Sequence, residues 1–392
     1  MNFILGRQSK STTRTQSASS SISWRYFDFW LLGAAALLTI FGVTMIRSAV
    51  AGNIELTTET NLVSRQLIFA GLGFTVVMIT AAIDYRLWSS MSQTLYFGTI
   101  AVLAILFVVG AALFGSARWF DTGVIFIQPS EIAKIVLILI LADFFTRHKH
   151  QMHEIKWVIR SFIMTMGIVI WIVLQPNLST SIVMMVLWFA LLWAAGLRIK
   201  HLLIFTLVGL IVIGVSFPIL IEVNIIKDYQ LARIMNFVFP DPNARYGDIY
   251  NIQQALISIG SGGWFGQGYG QGSQVQLRFL KVRWSDFIFS TIAQEFGFVG
   301  TTAMILILLF IIYRCLRAAR LARDTYGALI AYGVATLLAF QAVVNIGVNL
   351  NMMPATGLTL PFVSYGGSSL LSTLIGIGLV ESVILRHKTL EF

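Results

Sequence analysis

Long apolar runs alternate with short polar connections along most of the chain. Runs approaching or reaching span length fall at 29–46, 67–83, 94–114, 132–145, 161–174, 178–197, 202–221, 296–313, 328–348 and 370–385. A helix crossing the hydrocarbon of a bilayer needs roughly 20 predominantly apolar residues, so the pattern predicts about ten transmembrane helices. The fourth and fifth runs are short, and their flanking residues extend both. An even number puts both ends on one side, and the polar segments say which. With the N-terminus inside, the inner connections collect Arg147, Lys149, Lys156 and Arg160 after the fourth span, Arg198 and Lys200 after the sixth, and Arg314, Arg317, Arg320 and Arg323 after the eighth. The short outer connections hold Arg47, Arg65 and Arg118. The positive-inside rule therefore predicts cytoplasmic N- and C-termini. His148, His150, His153, His201 and His387 all fall inside in this arrangement.

Composition agrees and removes other classes. The chain is 57% hydrophobic and 11% charged, with mean hydropathy +0.81. A soluble domain is about a quarter charged, so lipid must cover what polar surface cannot. The net charge of +10 is spread between the apolar runs rather than gathered on one face, which argues against nucleic acid as a partner. Cys315 is the sole cysteine, so an intrachain disulfide and a cysteine-built metal site are excluded. Ser and Thr make up ten of the fifteen residues from 9 to 23. Residues 1–26 are therefore expected to be a disordered cytoplasmic tail, with no cleavable signal peptide, ahead of a single membrane domain over 27–388.

Residues 222–285, between spans seven and eight, form an outer loop too long for a passive connector. Leu231, Ile234, Met235 and Val238 recur at helical spacing, as do Ile249, Ile252, Leu256 and Ile259. Both sets predict amphipathic helices on the outer membrane surface. Seven of the thirteen residues from 260 to 272 are glycine. Without a preceding strand or dinucleotide spacing, that stretch is expected to be flexible or closely packed rather than a phosphate cradle.

Ionisable residues within spans are costly and draw functional suspicion. Glu131 and Lys134 lie three apart on one helix face. They are either a buried structural ion pair or a lysine facing an anionic substrate with a glutamate holding it. Asp143 and Glu381, near inner ends, are expected to be structural. Asp286 stands where the long loop re-enters the membrane, behind Arg278, Lys281 and Arg283. It can be a helix cap, or a chemical group beside cations suited to phosphate. Trp119, next to Arg118, reads as an interfacial anchor. Residues 360–369 (LPFVSYGGSS) interrupt the spans with irregular backbone, which at membrane depth must be buried in protein or line a cavity.

At these residues the sequence resembles the SEDS family of shape, elongation, division and sporulation proteins. The resemblance runs from about Tyr26 to Lys388. Its most specific part is 345–369, with Met353-Pro354, Gly357-Leu358 and the Ser364-Tyr365-Gly366-Gly367-Ser368-Ser369 signature. Further matches are residues 127–134 (IQPSEIAK), Gln175-Pro176, residues 270–274 (GQGSQ) and residues 286–289 (DFIF). Within the family, the GQGSQ loop is closer to the RodA-like elongation type and the Met-Pro…Gly-Leu-Thr-Leu-Pro segment to the FtsW-like division type; the balance leans to the elongation type.

The resemblance implies an all-α polytopic glycosyltransferase of the bacterial cytoplasmic membrane that polymerises lipid II into peptidoglycan strands. It also implies a class B penicillin-binding protein as partner, with lipid II, undecaprenyl-pyrophosphate-linked glycan and membrane lipid as the other contacts. Asp286 matches the family's loop aspartate, Glu131 and Lys134 its buried pair, and Arg118 and Trp119 its Arg-Trp segment. Lys281, Arg283, Ser364, Gly366, Gly367 and Ser368 join the candidates for substrate binding. Trp284-Ser285 replaces the usual His-Thr ahead of the aspartate, and Asn177 stands where Asp often follows Gln-Pro. Joining two lipid-linked sugars needs a base for the acceptor hydroxyl, while a pyrophosphate leaves without a protein acid. Cations, or a divalent magnesium or manganese ion, would receive the pyrophosphate; no other cofactor is expected. Asp286 would then be the base. A lipid II flippase and a non-enzymatic scaffold of the wall machinery are the competing functions.

Overall fold

The computed structural model describes residues 24–51, 61–114, 120–121, 126–149, 155–197, 207, 209, 214, 228–239 and 247–387. The expected tail over 1–26 lies almost wholly outside this set, as does most of the expected seventh span, 202–221. Among the described residues the fold is helical apart from a two-residue antiparallel ladder, Phe120–Asp121 against Phe126–Ile127. Nine bundle helices lie among the described residues: α1 (Phe29–Val50), α2 (Leu62–Ala82), α4 (Ser92–Phe114), α5 (Pro129–Arg147), α6 (Ile155–Leu174), α7 (Leu178–Ala194), α11 (Ile288–Leu321), α12 (Thr325–Asn349) and α13 (Gly367–Leu385). Seven of these are long and apolar enough to cross a membrane. α7 has 17 residues, and α5 carries Glu131, Lys134, Asp143 and Arg147 among its apolar side chains. The short α3 (Tyr85–Ser90) sits at one rim; α8 (Asp228–Val238), α9 (Gly247–Gly262) and α10 (Ser273–Gln276) belong to the long loop, as its periodicity predicts for the first two.

Polar residues set where the helices start. Asp28, Asn61, Asp84, Asn177 and Asp324 each accept a backbone N–H in the first turn of α1, α2, α3, α7 and α12, and Pro129 opens α5. Asn177 therefore does here what an aspartate would do, which accounts for its departure from the usual Gln-Pro-Asp. α13 and α5 lie at the centre: α13 packs along α2, α12 and α5, and almost every side chain of α5 is buried. α4 is peripheral, with Phe97, Ile105 and Val108 facing outward as lipid-exposed positions do.

The expected eighth span, 296–313, differs most from what forms. α11 begins at Ile288 and is broken at Gly297 (φ 66°, ψ −163°), a conformation open only to glycine. The glycine-rich stretch lies against this break. Gln267 N donates to Gln294 O at 2.9 Å and Gly268 N to Glu295 O at 3.0 Å, while Phe298 N and Val299 N donate to Gly263 O and Trp264 O at 2.8 and 3.0 Å. A Cβ on Gly297 would stand 2.4 Å from Gly266 N. The glycines thus let two backbones touch and exchange the hydrogen bonds that a broken helix leaves open. The stretch is closely packed, as one of the two sequence expectations held.

Ion pairs concentrate at the rim that holds α3. Arg86 pairs with Asp324, Arg147 with Asp143, Arg314 with Asp28 and Arg386 with Asp84. Asp143 also accepts from Ser89 Oγ and Ser92 Oγ, and Glu381 accepts from Asp28 N at 3.0 Å. Both carboxylates, expected to be structural, staple helix ends together.

Candidate active site

Asp286 is not a helix cap. The cap position of α11 is Phe287, and no side chain fills it. Residues 282–287 instead form a tight turn, with Ser285 N and Phe287 N donating to Val282 O. Four successive carbonyls of this turn are then held from outside. Thr291 Oγ1 donates to Arg283 O at 3.1 Å, Tyr365 N to Trp284 O at 2.9 Å, and Ser364 Oγ to Ser285 O at 2.8 Å. Asn345 Nδ2 and Asn349 Nδ2 donate to Asp286 O at 3.1 and 2.9 Å. Each such bond is worth about 1 kcal/mol net, and together they leave the turn little freedom. The Asp286 carboxylate is half-buried. It accepts from Ser285 Oγ at 3.0 Å, and Gly357 lies against its Oδ2.

The segment expected to be irregular, 360–369, carries much of this clamp. Ser364 Oγ bridges Leu360 N and Ser285 O. Gln66 of α2 grips the next turn from both sides, with Nε2 donating to Ser364 O and Oε1 accepting from Gly366 N, each at 3.3 Å. Gly367 is closely approached by the Phe69 ring, which would meet a Cβ at 2.1 Å. Ser368 Oγ accepts from Gln128 N at 2.9 Å, just ahead of α5. Ser364, Gly366, Gly367 and Ser368 are therefore built into the scaffold that joins the Asp286 turn to the start of α5.

There the second candidate set begins. Lys134 Nζ donates to Glu131 Oε2 at 2.8 Å, and Ser372 Oγ of α13 donates to the same oxygen at 3.5 Å. Lys134 is wholly enclosed, at 0% exposure. Arg283 also turns inward: its Nε donates to Ala49 O at 2.5 Å, and its guanidinium lies over the Trp284 ring. Burial, and then the charge of Arg278, pull its pKa below the ordinary arginine range. It ties the loop to the end of α1. Lys281 remains exposed. Arg118 and Trp119 lie outside the described residues. An apolar groove of about 400 Å³ opens between α4 and α5, with Leu95, Val102, Ile132 and Val136 in its walls.

Several residues of this arrangement escaped the sequence reading. Asn345 and Asn349 recur at i, i+4 in an otherwise apolar span, a signal of polar groups with work at one face. Asn349 Oδ1 also accepts from Ser290 N and Ser290 Oγ. Glu295 is buried beside the Gly297 break and accepts from Ser48 Oγ at 2.5 Å. It falls between the loop 222–285 and the span 296–313 that the pattern predicts, which hid it. Among the described residues no three potential metal-binding side chains gather in one place.

Known proteins share this whole frame. The model of the cell cycle protein family that comprises FtsW, RodA and SpoVE matches residues 29–389. A probable peptidoglycan glycosyltransferase FtsW of Hydrogenovibrio crunogenus is 34% identical over 369 residues, covering 92% of each chain. Stage V sporulation protein E of Bacillus subtilis is 33% identical, covering 91% of this chain and 96% of its own. Among solved structures, a chain of a peptidoglycan synthase complex that coordinates polymerization and crosslinking superposes with a TM-score of 0.76 at 29% identity, over 93% of this chain and 99% of its own. The rod shape determining protein RodA of Thermus thermophilus gives 0.66 at 28% identity, over 94% and 99%. The chain, with its clamped loop aspartate and its buried Glu131–Lys134 pair in a matching helical frame, belongs to the FtsW, RodA and SpoVE (SEDS) family of multi-pass membrane glycosyltransferases.

Proposed function

We propose that this chain polymerises lipid II into glycan strands on the outer face of the cytoplasmic membrane, with Asp286 as general base. The observation that carries the reading is the clamp: four carbonyls in succession are fixed so that one carboxylate stands at a set place beside the loop. Asp286 takes the proton from the acceptor sugar hydroxyl as its oxygen bonds to the anomeric carbon of the growing strand. The bond from that carbon to the undecaprenyl pyrophosphate breaks, and the pyrophosphate leaves with the electron pair. Lys281 and Arg118 are the cations offered to it. The apolar groove between α4 and α5 suits a polyprenyl tail. Burial of Lys134 favours the structural reading of its pair with Glu131: the pair holds the start of α5, and through Ser372 the first turns of α13, rather than touching phosphate.

A class B penicillin-binding protein is the proposed partner, in line with the synthase complex that this chain resembles. The loop motif leans to elongation, whereas the relatives carry the FtsW and stage V sporulation protein E names. The test is polymerisation of labelled lipid II by purified protein with that partner. Asp286→Asn is expected to lose at least about a hundredfold in rate with thermal stability unchanged. A normal glycan ladder from a folded Asp286→Asn protein would sink the base assignment. No ladder from the wild type, together with lipid II movement across vesicles, would favour the flippase. Partner binding without either activity would favour the scaffold.

A further inference from the structure

The opposite end of the bundle carries a constellation that glycan chemistry does not use. The turn Trp24–Tyr26, the first turn of α1, the last turns of α11 and the end of α13 enclose a cavity of about 390 Å³. Arg25, Asp28, Trp30, Arg314, Arg317 and His387 are among its walls. Three guanidiniums thus face one carboxylate. Arg314 is committed to that carboxylate, with Nε donating to Asp28 Oδ2 at 2.7 Å. Arg25 and Arg317 are exposed and have no hydrogen-bond or ion-pair partner among the described residues. His387 is held in place, with its ring edge-on to Tyr26 at 5.0 Å and Nδ1 2.6 Å from Ile384 O. Residues 1–23 contain Arg7, Lys10 and Arg14 and no acidic residue, so the preceding tail offers no carboxylate to neutralise the cavity.

The surroundings say what kind of anion fits. Phe29 and Trp30, beside the cavity mouth, are 70% and 74% exposed. Aromatic side chains of this kind at the start of a span sit at the headgroup level. From Trp30 an outward stripe continues along α1 through Leu37 and Ile40, which are 54% and 64% exposed. A free phosphate would use the guanidiniums and have no use for that stripe. A phospholipid would use both, with its phosphodiester on Arg25 and Arg317 and an acyl chain along Trp30, Leu37 and Ile40. Basic recesses between spans bind anionic lipid in this way.

We propose that this cavity is a binding site for one anionic phospholipid, of the phosphatidylglycerol type, whose headgroup carries no compensating amine. It lies at the end where both described termini emerge, so its assignment to the inner leaflet rests on the proposed orientation. The binding itself does not, nor does it depend on the catalytic reading.

The test uses the full chain in nanodiscs of phosphatidylcholine with a minor fraction of phosphatidylglycerol, with retained lipid counted by native mass spectrometry after transfer to detergent. Wild type is expected to retain phosphatidylglycerol in preference to phosphatidylcholine. Arg25→Gln with Arg317→Gln should reduce that preference by roughly fivefold for each arginine removed. Arg160→Gln, an exposed cation elsewhere at the same end, should leave it unchanged. The single Arg317→Gln protein gives the same readout with a loss of roughly fivefold should the double variant fold poorly. Undiminished preference in a folded double or single variant would overturn the proposal. So would displacement of the lipid by equimolar glycerol phosphate, which would mark a site for soluble anions, or an equal loss in Arg160→Gln, which would mark a diffuse surface charge effect.

Discussion

Asp286 is held in a position that residues distant in the chain impose on it. Asn349 is the most instructive of these, because one side chain serves both the aspartate carbonyl and Ser290. Asn349→Ala leaves those groups short of partners in a buried place, at a cost of about 1–3 kcal/mol. It also releases one of the two donors on Asp286 O. Steady-state polymerisation by this variant should show kcat down roughly tenfold to a hundredfold with KM little changed, since misplacement of a base harms the chemical step. The Glu131–Lys134 pair makes the contrasting case. Removing one partner of a buried pair leaves an uncompensated charge and costs about 3–5 kcal/mol. Lys134→Met and Glu131→Gln should each lower the melting temperature in detergent, and the double variant should regain part of it. Lost activity at unchanged stability in Lys134→Met would return the lysine to direct contact with phosphate.

Among the elements, α11 is the one whose form matters most to the site. Its break at Gly297 separates a short helix, 288–296, that carries the Asp286 turn from the long span behind it. The glycine-rich stretch supplies the missing hydrogen bonds at the break, so loop and helix stand or fall together. Gly297→Ala would place a methyl group against Gly266 N in a backbone conformation that alanine avoids, at a cost of about 1–3 kcal/mol for strain alone. Thermal unfolding and polymerisation should both suffer in this variant. Gly33→Ala, on an open stretch of α1 with nothing within 4 Å, should leave both unchanged. From sequence the glycines were legible as flexible or closely packed, but their partner was not. The break itself was missed, because an apolar span carrying Gly297 and Gly300 still reads as continuous.

Over the whole molecule, charge and polarity divide the two ends. One end has the clamp, the long loop and exposed Lys281. The other has four ion pairs between helix ends and the basic cavity. The proposed orientation makes the first end external. In a Cys315→Ser background, a cysteine placed at Lys281 should react with a membrane-impermeant maleimide in intact cells. One placed at Arg160 should react only after permeabilisation. The reverse pattern would invert the topology and move the proposed chemistry to the cytoplasm.

The sequence by itself determined the class of the protein, the position of most spans and the identity of the aspartate worth testing. Those follow from local facts: a bilayer demands a fixed length of apolar helix, basic residues mark one side, and the loop and 345–369 motifs are contiguous. It did not determine which helices are central. A helix apolar on every face looks the same whether lipid or protein covers it, so α13, buried over 89% of its apolar window, could not be told from α4, buried over 17%. Nor did it give the clamp, whose donors at Asn345, Asn349 and Ser364 lie 59, 63 and 79 residues from the carbonyls they hold. Tertiary structure alone decided those pairings, because buried backbone groups at membrane depth must find partners wherever the packed helices bring them.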